Sequence, residues 1–503
     1  ISTFFHSIYN INKLEAIFGS NYAEALSDVI YRMKKGTNRP HGTNRLVNLF
    51  NDWINGSIGA TMFFNARSAV LQTISTVNFV NWSDNNPLKV AKTLANQKQF
   101  WTDFGMIFNS PFLKQRRSGL QQDVNAKEMM DSIRNAKDPV RAAIGYLLQK
   151  GFLPTQIADS FAISLGGASF YRNRLDSYIA EGMSKKEAES KAFEDFQEIA
   201  EETQQSARPD KISQQQASPL GKLILAFQNT PMQYNRLMKR AGQDLINGRG
   251  SGVENISKIV YYGGVQNVIF YSMQQALFAL AFGDDDEDEK ASEKKTDSYA
   301  RVANGMLDTL LRGSGIAGAV VSTVKNMILE FLEQEEKGWR ADHAYTLIEM
   351  LNLSPPIGIK ARKLYGATQS WEFNRDVIKH MDKTNIDNPI YDATFNAIEA
   401  TTNVPLSRAY SKMQNIREAF NSDNEDWQRI AMLLGWNAWN FGIKNSDVMT
   451  AKQEVKEIKK EEKKKKKKEK REKEQNRCTK IKSDGTQCKM YIDKPKTRCH
   501  YHD

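Results

Sequence analysis

Three cysteines and a histidine near the end of the chain are the residues best suited to metal chemistry. The spacing C-x9-C-x10-C-x2-H is formed by Cys478, Cys488, Cys499 and His502. Three thiolates and one imidazole complete a closed, tetrahedral zinc site, and His500 is an alternative fourth ligand. The chain has no other cysteine, which argues against a disulfide scaffold. Residues 478–503 are therefore predicted to be a small zinc-binding module.

The composition of this module supports a metal-dependent fold. The segment has few apolar side chains, so the bound metal would supply its folding energy. Gly485 and Pro495 lie between the ligands at positions suited to turns. Zinc is accordingly the one cofactor that the sequence predicts.

A lysine-rich segment precedes the module and dominates the charge of the chain. Residues 452–477 contain 14 Lys/Arg and 7 Asp/Glu, a net charge of +7, and residues 478–503 add a net +3. The tail thus carries 10 of the 11 excess positive charges, and residues 1–451 are close to neutral. Any attraction to a polyanion is therefore predicted to reside in the tail.

Two interpretations of the lysine-rich segment remain open, and they are compatible. Glutamates four residues before lysines, as in Glu461–Lys465, support an isolated, solvated helix that acts as a spacer. Consecutive lysines repel one another and gain from phosphate neutralisation with release of counterions, which favours a nucleic-acid-binding arm. The predicted nucleic-acid-binding residues are Lys463, Lys464, Lys465, Lys466, Lys467, Lys468, Lys470 and Arg471.

Catalytic patterns receive no positive support. Gly313, Gly315 and Gly318 have the G-x-G-x-x-G spacing, but the preceding GMLDTLLR is amphipathic and helical, whereas a dinucleotide site needs a strand there. A helix break or a tight helix contact is therefore expected. Asp159 and Ser160 lie on an otherwise apolar face, and a hydrogen-bonded buried pair is the favoured interpretation. No partner is evident for His6, His41, His343 or His380.

The elements that must position these residues are predicted to be helices throughout. Helical spacing over Leu14–Met33 predicts one apolar face, formed by Ile17, Tyr22, Leu26, Ile30 and Met33. A second apolar stripe follows a capping box formed by Ser184 and Glu187, and its members are Ala188, Ala192, Phe196, Ile199 and Ala200. Sustained period-2 alternation and hairpin signals are missing from the sequence. The predicted fold class is all-α, a multi-helix body with a central apolar segment, a charged helical spacer and the zinc-binding module.

The longest stretch without a formal charge, Ile259–Gly283, is the centre of this organisation. Its length is sufficient to span a bilayer, but Gln266, Asn267, Gln274 and Gln275 would each need a partner in lipid. A buried core segment is favoured, because neighbouring helices can supply those partners.

Shifts in composition predict five parts of the chain. They are an N-terminal helical body (1–283), an acidic, charged loop (284–297), a second helical part (298–446), a lysine-rich helical spacer (447–477) and the zinc-binding module (478–503). The sequence begins with Ile1 and shows no signal peptide, so a fragment or a processed product is expected.

Several strings resemble a known family of phage proteins. FFNARSAVLQTISTVNFVNWSDNNP, IAEETQQSARPDKISQQQASPLGKLILAFQNTPMQY, SPPIGIKARK and LLGWNAWNFGIK are similar to the C-terminal region of large phage polyvalent proteins, over residues 14–445. The Cys/His tail resembles a small domain often appended to phage proteins. Members of this family are long, virion-associated polypeptides thought to enter the host with the DNA, and many carry enzymatic domains further upstream.

The resemblance implies a non-enzymatic virion-associated or ejected structural protein, located in the virion and afterwards in the host cytoplasm or envelope. Its expected partners are nucleic acid, contacted by the basic tail, and other virion proteins. The main alternative is a membrane-active ejection protein that inserts Ile259–Phe282 and Ile316–Val324 into the host envelope. An enzyme of unrecognised class is the remaining alternative.

Overall fold

The computed structural model of this chain describes residues 8–36, 38, 45–80, 85–117, 139–204, 206, 208–266, 268–269, 303–336, 338, 344–443, 445–475, 482–483, 485–486 and 488. Helices dominate these residues, and no strand occurs among them, which confirms the all-α prediction. Within the same ranges, no helix combines the length and the apolar character that crossing a bilayer requires.

The helices are numbered in chain order. In the first half they are α1 (Ile8–Phe18), α2 (Ser20–Lys35), α3 (Arg45–Met62), α4 (Ala66–Gln72), α5 (Pro87–Ala95), α6 (Gln97–Phe108), α7 (Pro111–Arg117), α8 (Pro139–Gly151), α9 (Leu153–Ala180), α10 (Lys185–Thr203), α11 (Gln214–Ala217), α12 (Pro219–Ile224), α13 (Asn229–Ile246) and α14 (Gly252–Val260). In the second half they are α15 (Ile316–Glu336), α16 (Ala344–Leu351), α17 (Pro355–Phe373), α18 (Arg375–His380), α19 (Pro389–Thr402), α20 (Leu406–Ala419), α21 (Asp426–Leu433) and α22 (Ser446–Gln475). Residues 303–313 are also helical, and short 3-10 or π turns occupy Thr73–Phe79, Pro209–Lys211, Tyr261–Val265 and Ala438–Phe441.

The chain forms two compact units. The first comprises Ile1–Tyr365 and Phe395–Phe441, and the second comprises Gly366–Thr394 and Gly442–Asp503. The lysine-rich helix α22 therefore belongs to the second unit. The predicted charged loop at 284–297 lies outside the described residues.

Helix α9 is the centre of the first unit. Small residues in its middle allow close packing on two sides: a Cβ atom on Gly166 would lie 2.5 Å from the carbonyl oxygen of Thr76, and one on Gly167 would lie 2.3 Å from the Phe196 ring. Phe79, Phe100, Ile163 and Phe196 belong to the resulting core. Because Gly166 and Gly167 have no side chain, the 3-10 turn Thr73–Phe79 and helix α10 can approach α9 closely.

Helix α10 follows its sequence pattern closely. The Ser184 hydroxyl accepts a hydrogen bond from the Glu187 amide at 3.4 Å, as the predicted N-terminal cap requires. The apolar positions Ala188, Ala192, Phe196 and Ala200 are all fully buried. The N-cap at Ser184 and most of the buried face are thus confirmed. The reciprocal bond from the Glu187 side chain, which would complete the predicted capping box, is not formed, and Ile199 of the predicted stripe is only partly buried.

The predicted continuous apolar face at Leu14–Met33 is wrong. Gly19 adopts φ +86°, which separates α1 from α2. Ile17, Tyr22 and Met33 are 61%, 47% and 55% exposed. A left-handed glycine changes the direction of the chain, so the spacing on either side of it no longer defines one face.

The beginning of the central apolar stretch packs within the first unit. Tyr261, Tyr262 and Gln266 are buried, and the Gln266 amide donates hydrogen bonds to Asn78 Oδ1 at 2.6 Å and to the Tyr234 hydroxyl at 3.1 Å. Gln266 thus has the protein partners that the core interpretation requires. Asn267, Gln274 and Gln275 lie outside the described residues, so the buried-core interpretation of the whole stretch stays a prediction.

The glycines of RGSGIAG form a helix break and a close contact. Gly315 adopts φ +97° between the 303–313 helix and α15, and a Cβ atom on Gly318 would lie 1.8 Å from the Leu311 carbonyl oxygen. The segment before the glycines is helical. This geometry is the expected helix break, and it lacks the strand that precedes a dinucleotide-binding turn.

Candidate nucleic-acid interface

Helix α22 carries all eight residues predicted to bind nucleic acid. It runs without a break for 30 residues, Ser446–Gln475, and at 1.5 Å per residue it is about 45 Å long. The Asn445 side chain caps its start by accepting a hydrogen bond from the Val448 amide at 3.1 Å. Beyond the cap, the helix is supported by Glu-to-Lys pairs four residues apart.

Side chains of the second unit hold the first turns of α22. His380 Nε2 lies 2.8 Å from Glu454 Oε2, and Asn445 donates a hydrogen bond to Asp387 Oδ1 at 2.9 Å. The Lys459 ammonium donates to Asp376, and this hydrogen bond, aided by other nearby cations, lowers the pKa of the Asp376 carboxyl below its usual value. These contacts fix the direction of the helix relative to α18 and the turn that follows it.

His380 has a side-chain partner, contrary to the prediction from the sequence. The two residues of the His380–Glu454 contact are 74 positions apart, so no local pattern connects them. A local signal for the packing did exist. Ala451, Val455 and Ile458 follow one another at helical spacing at the start of α22, and Ala451 is 5% exposed where α18 packs on the helix.

Past this base, the helix is surrounded by solvent. Every residue from 456 to 471 is exposed. Within this stretch, residues 460–471 contain 9 Lys/Arg and 3 Glu, a net charge of +6 over about 18 Å of helix. A concentration of positive charge of this kind attracts polyanions over a distance set by the Debye length.

One of the predicted zinc ligands lies within the described residues. Cys488 is buried, 3% exposed, and it follows a turn in which Gly485 adopts φ +76°. The Lys482 amide donates to the Thr486 carbonyl oxygen at 2.7 Å, which closes the turn. Cys478, Cys499, His500 and His502 lie outside the described residues. A buried thiol after a glycine turn fits a ligand of a small metal module, and the zinc site stays a prediction.

Asp159 lies in a buried ion network with Arg116 and Glu201. The Arg116 guanidinium donates to Asp159 Oδ2 at 2.7 Å and lies 3.6 Å from Glu201 Oε1. The Gln72 amide also donates to Asp159, at 3.2 Å, and Ser206 donates to Glu201. These contacts tie α7, α9 and α10 together and match the hydrogen-bonded interpretation of Asp159. The same interpretation of Ser160 is wrong, because its buried hydroxyl has no hydrogen-bond partner among the described residues.

A cleft of about 780 Å³ opens beside this network, between α7, α10 and the turn Pro209–Lys211. Its lining residues are Pro111, Phe112, Gln115, Glu194, Gln197, Glu198, Glu201, Arg208, Asp210 and Lys211. The cations in the lining have acidic partners: Arg208 contacts Asp210 at 2.9 Å, and Lys211 contacts Glu202 at 3.5 Å. The cleft therefore offers little charge for an anionic ligand.

A second buried cluster surrounds Glu399 in the first unit. Ser407 donates to Glu399 Oε2 at 2.6 Å, and Lys363 Nζ lies 3.1 Å from Glu399 Oε1. Nearby, Lys360 donates to the Ala400 carbonyl oxygen at 2.7 Å, and burial lowers the pKa of its ammonium group to about 8. Glu399 also accepts from the Arg408 amide, so the cluster joins the end of α19 to the start of α20.

The fold and the exposed arm define an all-helical protein with a cationic helix held at its base. No protein-family profile matches the sequence, and the searches of curated proteins and of solved structures likewise found no match.

Proposed function

We propose that the protein is a non-enzymatic nucleic-acid-binding structural protein of a phage virion, ejected together with the genome. The observation that carries the proposal is α22, a continuous helix held at its base and exposed from residue 456 to residue 471. The nearly neutral body then serves as the scaffold, and the arm makes the contact with nucleic acid. The phage context comes from the sequence resemblance.

The physical basis of binding is electrostatic. Each phosphate neutralised by a lysine releases condensed counterions, so the logarithm of the affinity falls with the logarithm of salt concentration by about 0.9 per contact on duplex DNA. The net +6 of residues 460–471 is a cation density suited to this mode. The side chains of this segment are lysine, arginine and glutamate, which recognise charge and offer little for reading bases.

The zinc-binding module is proposed to sit at the end of this arm. Cys478, Cys488, Cys499 and His502 would hold the metal, which when bound supplies the folding energy of the module. The surrounding cations, net +3 over residues 478–503, would add to the attraction for phosphates.

The proposal is tested by removing charge from the arm and from the body in equal amounts. In the arm variant, the six lysines Lys463–Lys468 are replaced by glutamine. In the matched control, glutamine replaces six exposed lysines of the body, namely Lys34, Lys35, Lys92, Lys98, Lys114 and Lys186. Binding of the full chain to duplex DNA is measured by fluorescence anisotropy at several salt concentrations.

The arm variant is expected to lose a large part of the affinity and of the salt dependence, whereas the control retains both. Binding that survives in the arm variant with an unchanged salt slope would move the site into the body. Failure of the wild-type chain to bind duplex DNA at low salt would overturn the proposal.

A second candidate, a membrane-active ejection protein, is favoured by the hairpin of the 303–313 helix and α15. Its internal surface is polar: Asp308 accepts from Ser322 at 2.7 Å and from Asn326 at 2.7 Å, and Lys325 lies 2.8 Å from Asp308. Its outward surface is apolar, with side chains between 41% and 54% exposed at Val320, Val321, Val324, Ile328, Leu329, Phe331 and Leu332.

This inverted arrangement resembles helices in lipid, where polar groups face one another and apolar groups face outward. Flotation of the full chain with phosphatidylcholine vesicles, compared with a Val324→Asp, Ile328→Asp variant, distinguishes the two candidates. Flotation that the variant abolishes would favour the membrane function. A chain that does not float in either form would remove this candidate.

A further inference from the structure

The charges of α22 are segregated into two faces. At 100° per residue, Lys456, Lys460, Lys463, Lys467 and Lys470 form a single stripe, with spacings of four, three, four and three residues. This stripe is called the basic stripe. On the opposite side of the helix, a second stripe with steps of three or four residues contains both signs of charge. This mixed stripe is formed by Glu454, Glu457, Glu461, Lys465, Lys468 and Glu472.

The six consecutive lysines are therefore not equivalent. Lys463 and Lys467 have only cations at positions three and four residues away on either side. Around Lys465, by contrast, three of the four positions at this spacing are glutamates, namely Glu461, Glu462 and Glu469. Because oppositely charged neighbours at this spacing attract and like charges repel, the charge of Lys465 is locally compensated, and those of Lys463 and Lys467 are reinforced.

We infer that α22 contacts the phosphate backbone of double-stranded nucleic acid through the basic stripe alone. This inference rests on the proposed function and specifies its partner. Phosphates placed along the stripe relieve the repulsion among its lysines and release counterions, whereas phosphates on the mixed stripe would also approach glutamates. The stripe extends for about 21 Å, a length comparable to several phosphate intervals of one strand.

Duplex is favoured over the other polyanions by what α22 lacks. Proteins that bind single strands stack bases on aromatic side chains, and Ser446–Gln475 contains no aromatic residue. Helices that bind anionic membranes bury an apolar face, and Ile458 is the only apolar residue from 456 to 471. Duplex DNA also presents a higher charge density than a single strand. The expected recognition is thus independent of base sequence.

The test compares two double variants of equal net charge in the full chain. Lys463→Gln with Lys467→Gln removes two cations of the basic stripe, and Lys465→Gln with Lys468→Gln removes two of the mixed stripe. Glutamine is a good helix former, and loss of like-charge neighbours relieves repulsion, so the basic-stripe variant keeps the helix. Affinities for a duplex, for a single strand and for phosphatidylserine vesicles are measured against salt concentration.

The basic-stripe variant is expected to reduce the salt slope on duplex DNA by about 2, and the mixed-stripe variant by less than about 0.5. Equal reductions in both variants would overturn the one-sided contact and leave the proposed function standing. Tighter binding to single strands or to vesicles than to duplex would overturn the assignment of the partner. If the wild-type chain binds no nucleic acid, the proposed function itself fails, and the inference fails with it.

Discussion

Replacing Arg116 by methionine probes the buried ion network that joins α7, α9 and α10. The side chains of Arg116, Asp159 and Glu201 are 0%, 1% and 2% exposed, and the guanidinium lies 2.7 Å from one carboxylate and 3.6 Å from the other. The substitution leaves two carboxylates buried without their cation. Gln72 and Ser206 remain as neutral donors, one to each carboxylate.

The expected cost follows from this geometry. Removing one partner of a buried ion pair destabilises a protein by about 3–5 kcal/mol, because the remaining charge is desolvated and uncompensated. Since about 1.4 kcal/mol corresponds to a factor of ten, the population of the open state should rise by roughly 10²- to 4 × 10³-fold. Hydrogen exchange of peptides from α9 and α10, followed by mass spectrometry, measures this change in the full chain.

Arg172→Met is the matched control. Arg172 contacts Asp103 at 2.6 Å, but its side chain is 22% exposed, and Gln99 also donates to Asp103, at 3.0 Å. The guanidinium is partly solvated, although Asp103 itself is only 5% exposed, and Gln99 remains as a donor, so the cost should be smaller, about 1–2 kcal/mol. An additional Asp159→Asn and Glu201→Gln change in the Arg116→Met background should slow exchange again. Exchange in Arg116→Met no faster than in Arg172→Met, or no recovery on neutralising both carboxylates, would refute the reasoning.

Two further predictions concern Lys360 and Cys488. Burial lowers the pKa of Lys360 to about 8 in the folded chain, whereas the pKa of a lysine in the unfolded chain is about 10.4. Between these two values the unfolded state binds more protons than the folded state. The free energy of unfolding should therefore rise with pH from about 8 to 10. Lys360→Met should remove this rise in a series of urea titrations from pH 7 to 10, and an unchanged pH dependence would contradict the role given to Lys360. For the zinc-binding module, the full chain purified under reducing conditions should hold one zinc per molecule, and Cys488→Ser should lose it while the control Ser483→Ala retains it. Stoichiometric zinc in Cys488→Ser, measured by plasma emission spectrometry, would exclude Cys488 as a ligand, and a wild-type chain without zinc would exclude the site.

The predictions that the structure confirms concern short-range patterns. The helical class, the cap at Ser184 and the buried face of α10 all follow from spacings of three or four residues. The helix at α22 follows from its Glu-to-Lys pairs in the same way. Hydrogen bonding within a helix is local, so residues close in sequence determine where a helix forms.

Which face of an amphipathic helix is buried was decided by the tertiary structure. In α15 the apolar positions Val324 and Ile328 are about half exposed, and the buried positions include Ser322 and Thr323. Periodicity identifies two faces, but it does not state which one meets the neighbouring helix. The choice follows from the partners on the preceding helix, because Arg312 donates a hydrogen bond to Ser322 Oγ and Asp308 accepts one from the same hydroxyl.

The sequence by itself determined the helical class and the concentration of positive charge in α22, since both depend on composition and local spacing. It did not determine the contacts between distant positions. Arg116 reaches Asp159 across 43 residues, and His380 reaches Glu454 across 74. Such pairs depend on the path of the whole chain, because many side chains of suitable charge compete for each partner until packing brings one of them within hydrogen-bonding distance.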